Sequence, residues 1–494
     1  MNFNDIYLNG IDGVTGRYLV DPFSPSGAVA AARGKPPDRD QAGWLGHLRG
    51  ILLSPFLGLP RGIDPTDVTR SGWGVVFARN TPDNIRRAIE PLLAHRHGQV
   101  PASRCKVLEY TMGRSLKDWL KTYGVSTGTV DPTKVPYYLM LVGGPESIPF
   151  EFQYLLDIEY AVGRLAFDDA EGYQSYAESV VNYETASAVA NAREVVYWAP
   201  RHAADPATQM SLDSLVSPLF GGTPPGDGRE AEAPVAGELG YTSSALTARD
   251  ATRDRLLGLL HPGARGSTPA FLFTASHGVG WPKGHANQVP AQGALLCQDW
   301  PGSGPVRPGH YLSASDVTDD ASVHGLVAFH FACYGAGTLA FDPFLMDRDG
   351  GPRPVAERPF IAALPKRLLS HPRGGALAVL GHIDRAWGFS IRPRGLGPQI
   401  VPFRNLIGRV LAGEPVGHAT KDFSEKYASL SASLLDALDK SRPGERLDEV
   451  DLAWAWVERN DAQNYIVLGD PAVRIRVDLL RPTPVPGSPG GVSP

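Results

Sequence analysis

The sequence predicts an α/β protein, a three-layer, doubly wound and mostly parallel sheet with helices on both faces. Three observations point there. Short apolar, β-branched and aromatic runs alternate with helical segments from about residue 70 onward. The alternation pauses after a helix near Glu184 and restarts at Glu194, so one α/β unit precedes another. Two apolar runs end in His277-Gly278 and Cys333-Tyr334-Gly335, and sites in such sheets form beyond the carboxyl ends of the strands.

Residues 1–65 are rich in Gly, Pro and Asp and read as an amino-terminal arm. Pro36-Pro37 marks a loop there, and Trp44 to Leu59 is apolar enough to pack. Residues 66–190 form the first α/β unit. Gly74–Phe77 is a strand, and Thr81-Pro82 opens a helix with a capping Thr and Pro at the first helical position. A strand at Lys106–Tyr110 leads to a helix at Arg114–Tyr123. The strand Tyr137–Val142 ends in Gly143-Gly144-Pro145, and a short strand at Tyr160–Leu165 precedes a helix at Glu171–Glu184.

Residues 191–480 form the second, larger unit. Its strand Glu194–Ala199 is followed by a helix at Ala207–Phe220 and a polar Gly/Pro loop at Gly221–Gly237. Asp250-Ala-Thr-Arg-Asp254 caps a helix through Leu260, and the strand from Phe271 delivers His277. The strand from Leu326 delivers Cys333. A loop at Asp342–Arg358, a helix at Pro359–Leu369 and a strand at Gly375–Gly381 come next. Helices at Pro402–Leu411, His418–Leu438 and Asp448–Glu458 complete the core. Residues 481–494, rich in Pro, Gly and Ser, read as a disordered tail.

Composition excludes several function classes. A net charge of −5 with no long basic run argues against nucleic acid as a partner. Three cysteines cannot build a disulfide framework in a chain of this length, which fits a reducing compartment. Met1 to Tyr7 has neither the positive nor the apolar region of a signal peptide, and no run approaches a membrane span. The expected setting is cytoplasmic. No Gly-x-Ser-x-Gly is present, and the glycine-rich stretches at 278–284 and 335–337 lack nucleotide-binding order. His277, His285, Cys297 and His310 match no zinc spacing, so neither a metal nor another cofactor is expected.

Cys333 and His277 are the candidate nucleophile and base. A thiol attacks well only when ionised or when a base takes its proton, and two parallel strand ends would bring such a pair together. His277 would take that proton and return it to the leaving amine. The amides of Gly278 and Cys333 are the natural oxyanion donors, since glycine lets the backbone come close; losing one such donor costs on the order of 10²–10³ in rate. Cys105 and Cys297 read as core residues, and His330 as a packed histidine.

The motifs resemble the caspase-like cysteine protease superfamily. Phe271-Leu-Phe-Thr-Ala-Ser276-His277-Gly278 is similar to its His-Gly strand end, and Ala332-Cys333-Tyr334-Gly335 to its Ala-Cys-x-Gly. Leu239-Gly-Tyr241 with the capped helix after it resembles the caspase approach to the His strand. Leu141-Val-Gly-Gly-Pro-Glu-Ser-Ile-Pro149, Val162-Gly-Arg-Leu165 and Leu468-Gly-Asp-Pro471 look more like the gingipain branch, in which a non-catalytic α/β subdomain precedes the catalytic one. Phe331 stands where caspases carry Gln, so caspase-type Asp specificity is not implied.

The resemblance implies an endopeptidase working by a Cys-His dyad through an acyl-enzyme, with protein or peptide substrates. It places pocket-lining residues after the strand that follows the cysteine strand. Asp384 is therefore the first candidate to receive a basic P1 side chain, Arg better than Lys, with Trp387 walling the pocket and Asp205 as a second candidate. The alternative for Asp384 is a pair with Arg385 or a cap on the next segment. The loop 342–358 stands in the place of the caspase activation loop and is expected to rearrange, or to be cut after Arg348 or Arg353 by an upstream protease or regulator, to open the pocket; the alternative is a static loop. The competing reading of the whole chain is a sensor or interaction protein that keeps the fold with little free activity.

Overall fold

The computed structural model describes residues 7–20, 58–223, 231–261, 263, 266–346, 351–388, 391–392, 397–439 and 449–482. Its strands, in chain order, begin with β1 (Gly10–Asp12), β2 (Trp73–Ala78), β3 (Cys105–Tyr110), β4 (Tyr138–Val142) and β5 (Ala161–Leu165). There follow β6 (Ala192–Ala199), β7 (Thr242–Thr247), β8 (Pro269–Ala275), β9 (Gly278–Gly280) and β10 (Ala294–Leu296). The site-bearing half closes with β11 (Tyr311–Leu312), β12 (Val327–Phe331), β13 (Ala378–His382) and β14 (Tyr465–Gly469).

Ten of these form one sheet in the order β3-β2-β4-β5-β14-β13-β12-β8-β6-β7. Every neighbouring pair is parallel except β13 with β14. The fold class is thus the predicted one, an α/β sheet flanked by helices. The last strand, β14, was not read as a strand from the sequence. It comes from the end of the chain, pairs in parallel with β5 and antiparallel with β13, and so joins the two α/β units into a continuous sheet.

The strands are apolar along their whole length because both sheet faces are covered, as parallel sheets require. Phe273 of β8 and Phe329 of β12 stack with centroids 5.0 Å apart, and Phe403 of the helix Val401–Leu411 meets both edge-on. Each such burial is worth about 1.5–3 kcal/mol, enough to fix the two strand ends relative to each other. Past β14, buried Asp470 accepts from Trp73 Nε1 at 2.9 Å and from Arg96 Nε at 2.7 Å. That carboxylate ties the chain's last strand to its first α/β unit.

Local details depart from the sequence reading. Pro82, not Thr81, is the N-cap of the helix Asp83–Ala88, and Thr81 instead donates its hydroxyl to Ala78 O. Within the expected capping segment Asp250–Asp254 it is Thr252 that caps the helix Arg253–Leu260, while Asp250 pairs with Arg255. The helix expected from Pro359 starts at Ala363, because Phe360–Ile361 pairs with Gly337–Thr338. The expected loop 342–358 carries a two-stranded ribbon, Phe341–Met346 against Pro352–Pro354. Exposed Arg353 lies on it, whereas Arg348 falls outside the described residues, as do most of the 1–65 arm and the tail from residue 483. No helix among the described residues is long and apolar enough to cross a membrane.

Candidate active site

β8 and β12 pair in parallel with Ala275 opposite Phe331. His277 and Cys333 each stand two residues beyond that last pair, so the sheet delivers both to one edge. Both are fully buried. Tyr334, immediately after Cys333, has φ of 59° and is held there by its N–H to Asp384 O at 2.8 Å. A non-glycine residue in the left-handed region is costly and persists where surrounding bonds enforce it, here in the turn that presents the cysteine.

β9 carries Gly278 away from the edge into a small sheet of order β1-β9-β10-β11. A Cβ at Gly278 would lie 1.8 Å from Cys333 O, so only glycine fits between the two site strands. The consequence is that the amides of Gly278 and Cys333 converge on a single point. Both donate to the same oxygen, the carbonyl of Asn9, each at 2.9 Å.

Asn9 belongs to the amino-terminal arm, which threads the site. Its N–H donates to Ala386 O at 2.9 Å, and Gly388 N–H donates to Tyr7 O at 2.9 Å, with Leu8 opposite Trp387 in an antiparallel bridge. Asn9 itself is 1% exposed, and its Nδ2 donates to Ser211 Oγ at 2.8 Å. Ser211 opens a π-helical stretch, Ser211–Val216, a local widening that occurs often at functional sites. Beyond Asn9, β1 pairs in parallel with β9, Gly10 opposite Gly278. A Cβ on Gly10 would sit 2.7 Å from Cys333 Sγ, which places the thiol beside the Asn9–Gly10 peptide.

Asp205 meets His277 here. The sequence reading put Asp205 in a substrate pocket. Its Oδ2 lies 2.5 Å from His277 Nε2, and it also accepts from Thr208 Oγ1 at 2.8 Å. Oδ1 accepts from Tyr18 Oη and from Ala207 N–H. Because a carboxylate only accepts, Nε2 carries the ring proton. Nδ1 is then left buried without a partner among the described residues. The Tyr18 ring stands edge-on to His277 with centroids 5.5 Å apart.

Electrostatics follow from this packing. Burial alone would push Asp205 up, but His277 and the hydrogen bonds from His277, Tyr18 and Thr208 hold it well below the usual carboxylate range. Burial raises the Cys333 thiol well above its ordinary value, against a hydrogen bond from Ala386 N–H, 3.2 Å from Sγ. In this arrangement the thiol is neutral. Nearby His202 is pushed down to about 4 by burial and by His277, and so stays uncharged at neutral pH.

Asp384 is buried, and its Oδ1 faces Arg385 Nε at 3.4 Å; Arg385 also pairs with Asp342. Burial pushes its carboxyl up, and Arg385 pulls it down. The arrangement is the Arg385 pair weighed as the alternative. Trp387 contributes its backbone to the bridge with Leu8 and lies under the Arg385 guanidinium at 5.5 Å. No group of three or more His, Cys, Asp or Glu that could hold a metal occurs among the described residues.

Asn9, Gly10, Tyr18 and Ser211 were missed by the sequence reading. The one usable signal was Asn9-Gly10 after the apolar pair Tyr7-Leu8 in a Gly-rich arm, and nothing in it names a partner some 320 residues away.

The fold is an α/β one with a mostly parallel ten-stranded sheet. Among solved structures, the Arg-specific cysteine proteinase gingipain R (RgpB) is similar at 12% identity and a TM-score of 0.42, over 84% of this chain and 81% of that one. A complex of the pro- and mature domains of Porphyromonas gingivalis RgpB is similar at 11% identity and 0.38, over 82% and 80%. A third structure, described only as a protease, gives 13% identity and 0.44, over 82% and 78%. No protein-family model and no curated protein matches the chain.

Proposed function

We propose that the chain is a cysteine endopeptidase in which Cys333 is the nucleophile and His277 the general base and acid. One observation carries this reading. Two amides converge on one carbonyl oxygen, and the Cys333 thiol lies beside the same peptide. That is the arrangement a thiol needs to add to a carbonyl whose oxygen takes up charge. His277, oriented by Asp205 through Nε2, keeps Nδ1 for the proton passed from the thiol to the leaving amine. Asp205 is a positioning residue, since it acts through the imidazole.

The expected P1 side chain changes with these observations. A basic P1 residue would require the Asp384 carboxylate, which already faces Arg385. The side chain next to the carbonyl on the two amides, Asn9, is instead a neutral amide on Ser211. A P1 preference for small neutral amides is therefore favoured over one for Arg. The peptide library that tests activity also decides this, with Cys333→Ala and His277→Ala as controls. No Cys333-dependent cleavage of any peptide would remove the protease reading, and Asp384-dependent cleavage after Arg would restore the basic one.

The second reading, a switched protein with little free activity, has its own support, because the cleft is filled by the chain itself. Control by cutting or movement of the 341–354 ribbon, by an upstream protease or a partner, remains part of this proposal through exposed Arg353. A cytoplasmic setting accords with three unpaired, buried cysteines.

A further inference from the structure

We infer that Asn9–Gly10 is a self-processing site: Tyr7–Asn9 lies in the cleft as a substrate does, and cutting after Asn9 opens the enzyme. This rests on the protease reading and adds to it a bond, a P1 residue and a reason for latency.

The register of the segment supports it on both sides of the bond. On the acyl side, the backbone is clasped at alternate residues, with Asn9 N–H on Ala386 O and Gly388 N–H on Tyr7 O. Extended peptides are recognised by such strand addition, backbone bonds supplying affinity and side-chain pockets specificity. The Asn9 carbonyl then falls on the Gly278 and Cys333 amides, and its side chain is buried against Ser211. On the amine side, Gly10 passes so close to Cys333 that any side chain there would strike Sγ and Leu19 Cδ1. Gly10–Asp12 continues as a strand on β9, and the chain turns back to Tyr18, which covers His277 and donates to Asp205.

The step balances. Cys333 Sγ bonds to the Asn9 carbonyl carbon, and the thiol proton passes to His277 Nδ1. The Asn9–Gly10 C–N bond breaks as that proton moves to the Gly10 amine, leaving an Asn9 thioester on Cys333. Water then adds to the thioester, forms the Asn9 carboxylate and returns a proton to the thiol. The net reaction is hydrolysis of one peptide bond. Loss of the Met1–Asn9 peptide empties the two amides and the Ser211 pocket for a substrate in trans.

Intact-mass measurement of the full chain against Cys333→Ala tests this. The expected result is a product beginning at Gly10 in the wild type and none in Cys333→Ala. Asn9→Asp, which removes the amide donor to Ser211, should slow the cut by at least about 10-fold. Ser211→Ala, which leaves the segment unchanged, should slow it in the same direction. A peptidyl probe ending in Asn should label Cys333 after processing. Cleavage that persists in Cys333→Ala overturns the inference. Turnover of basic-P1 peptides by a chain still carrying Met1–Asn9 overturns it while sparing the protease reading. Neither processing nor selective labelling of Cys333 overturns both.

Discussion

Asp205 accepts the Nε2 proton of His277 at 2.5 Å, and this contact leaves Nδ1 as the ring nitrogen without a partner among the described residues. The same carboxylate holds Tyr18 of the amino-terminal arm. One residue thus ties His277 to the segment that fills the cleft.

Asp205→Asn tests the positioning role. The amide can still accept from Nε2–H but brings no charge to balance an imidazolium. By analogy with other His–carboxylate pairs, kcat should fall about 10²–10⁴-fold with KM changed only a few-fold. A fall confined to kcat, with KM held, is what a purely structural loss would not produce.

Gly278→Ala tests the convergence of the amides. Its Cβ would meet Cys333 O at 1.8 Å, so the two strand ends must part. Thermal unfolding should show about 1–3 kcal/mol of destabilisation, and turnover should fall at least about 100-fold in the chain that remains folded.

Asp470→Ala tests the junction of the two α/β units. It leaves Trp73 Nε1 without its acceptor and removes one of the two acidic partners of buried Arg96, Glu184 being the other. A loss of about 3–5 kcal/mol in denaturant unfolding is expected, with kcat of the folded fraction unchanged.

How much of this was legible in the sequence follows from the range of each signal. His277 and Cys333 could be read because a buried strand is a continuous apolar run and each ends at its site residue. Asp205 was visible as a carboxylate after a strand, but its contact with His277 was not, since only the packing of β6 beside β8 brings the two together. β14 and the path of Asn9 depend on pairings between chain ends, which no local pattern encodes. The surroundings of Asp384 were hidden for a similar reason, because its nearest counter-charge, Arg385, draws in distant Asp342 as well.

Glu159 sets a pH dependence away from the site. Burial pushes it up to about 7, against a hydrogen bond from Gly128 N–H at 2.7 Å. A raised carboxyl favours the protonated fold, so its contribution is full below the ordinary Glu range and is lost as pH rises through about 7. Glu159→Gln should therefore gain on the order of 1–3 kcal/mol at pH 8 and little at pH 4, read as melting temperatures across that range.

Whether Cys333 is a nucleophile served by His277 is decided by trapping with a peptidyl electrophile ending in Asn, followed by peptide mapping of the labelled thiol. The expected result is a single adduct on Cys333 that forms at least about 100-fold more slowly in His277→Ala, with Cys105 and Cys297 unlabelled. Labelling of Cys105 or Cys297 at the rate of Cys333, unchanged by His277→Ala, would contradict it.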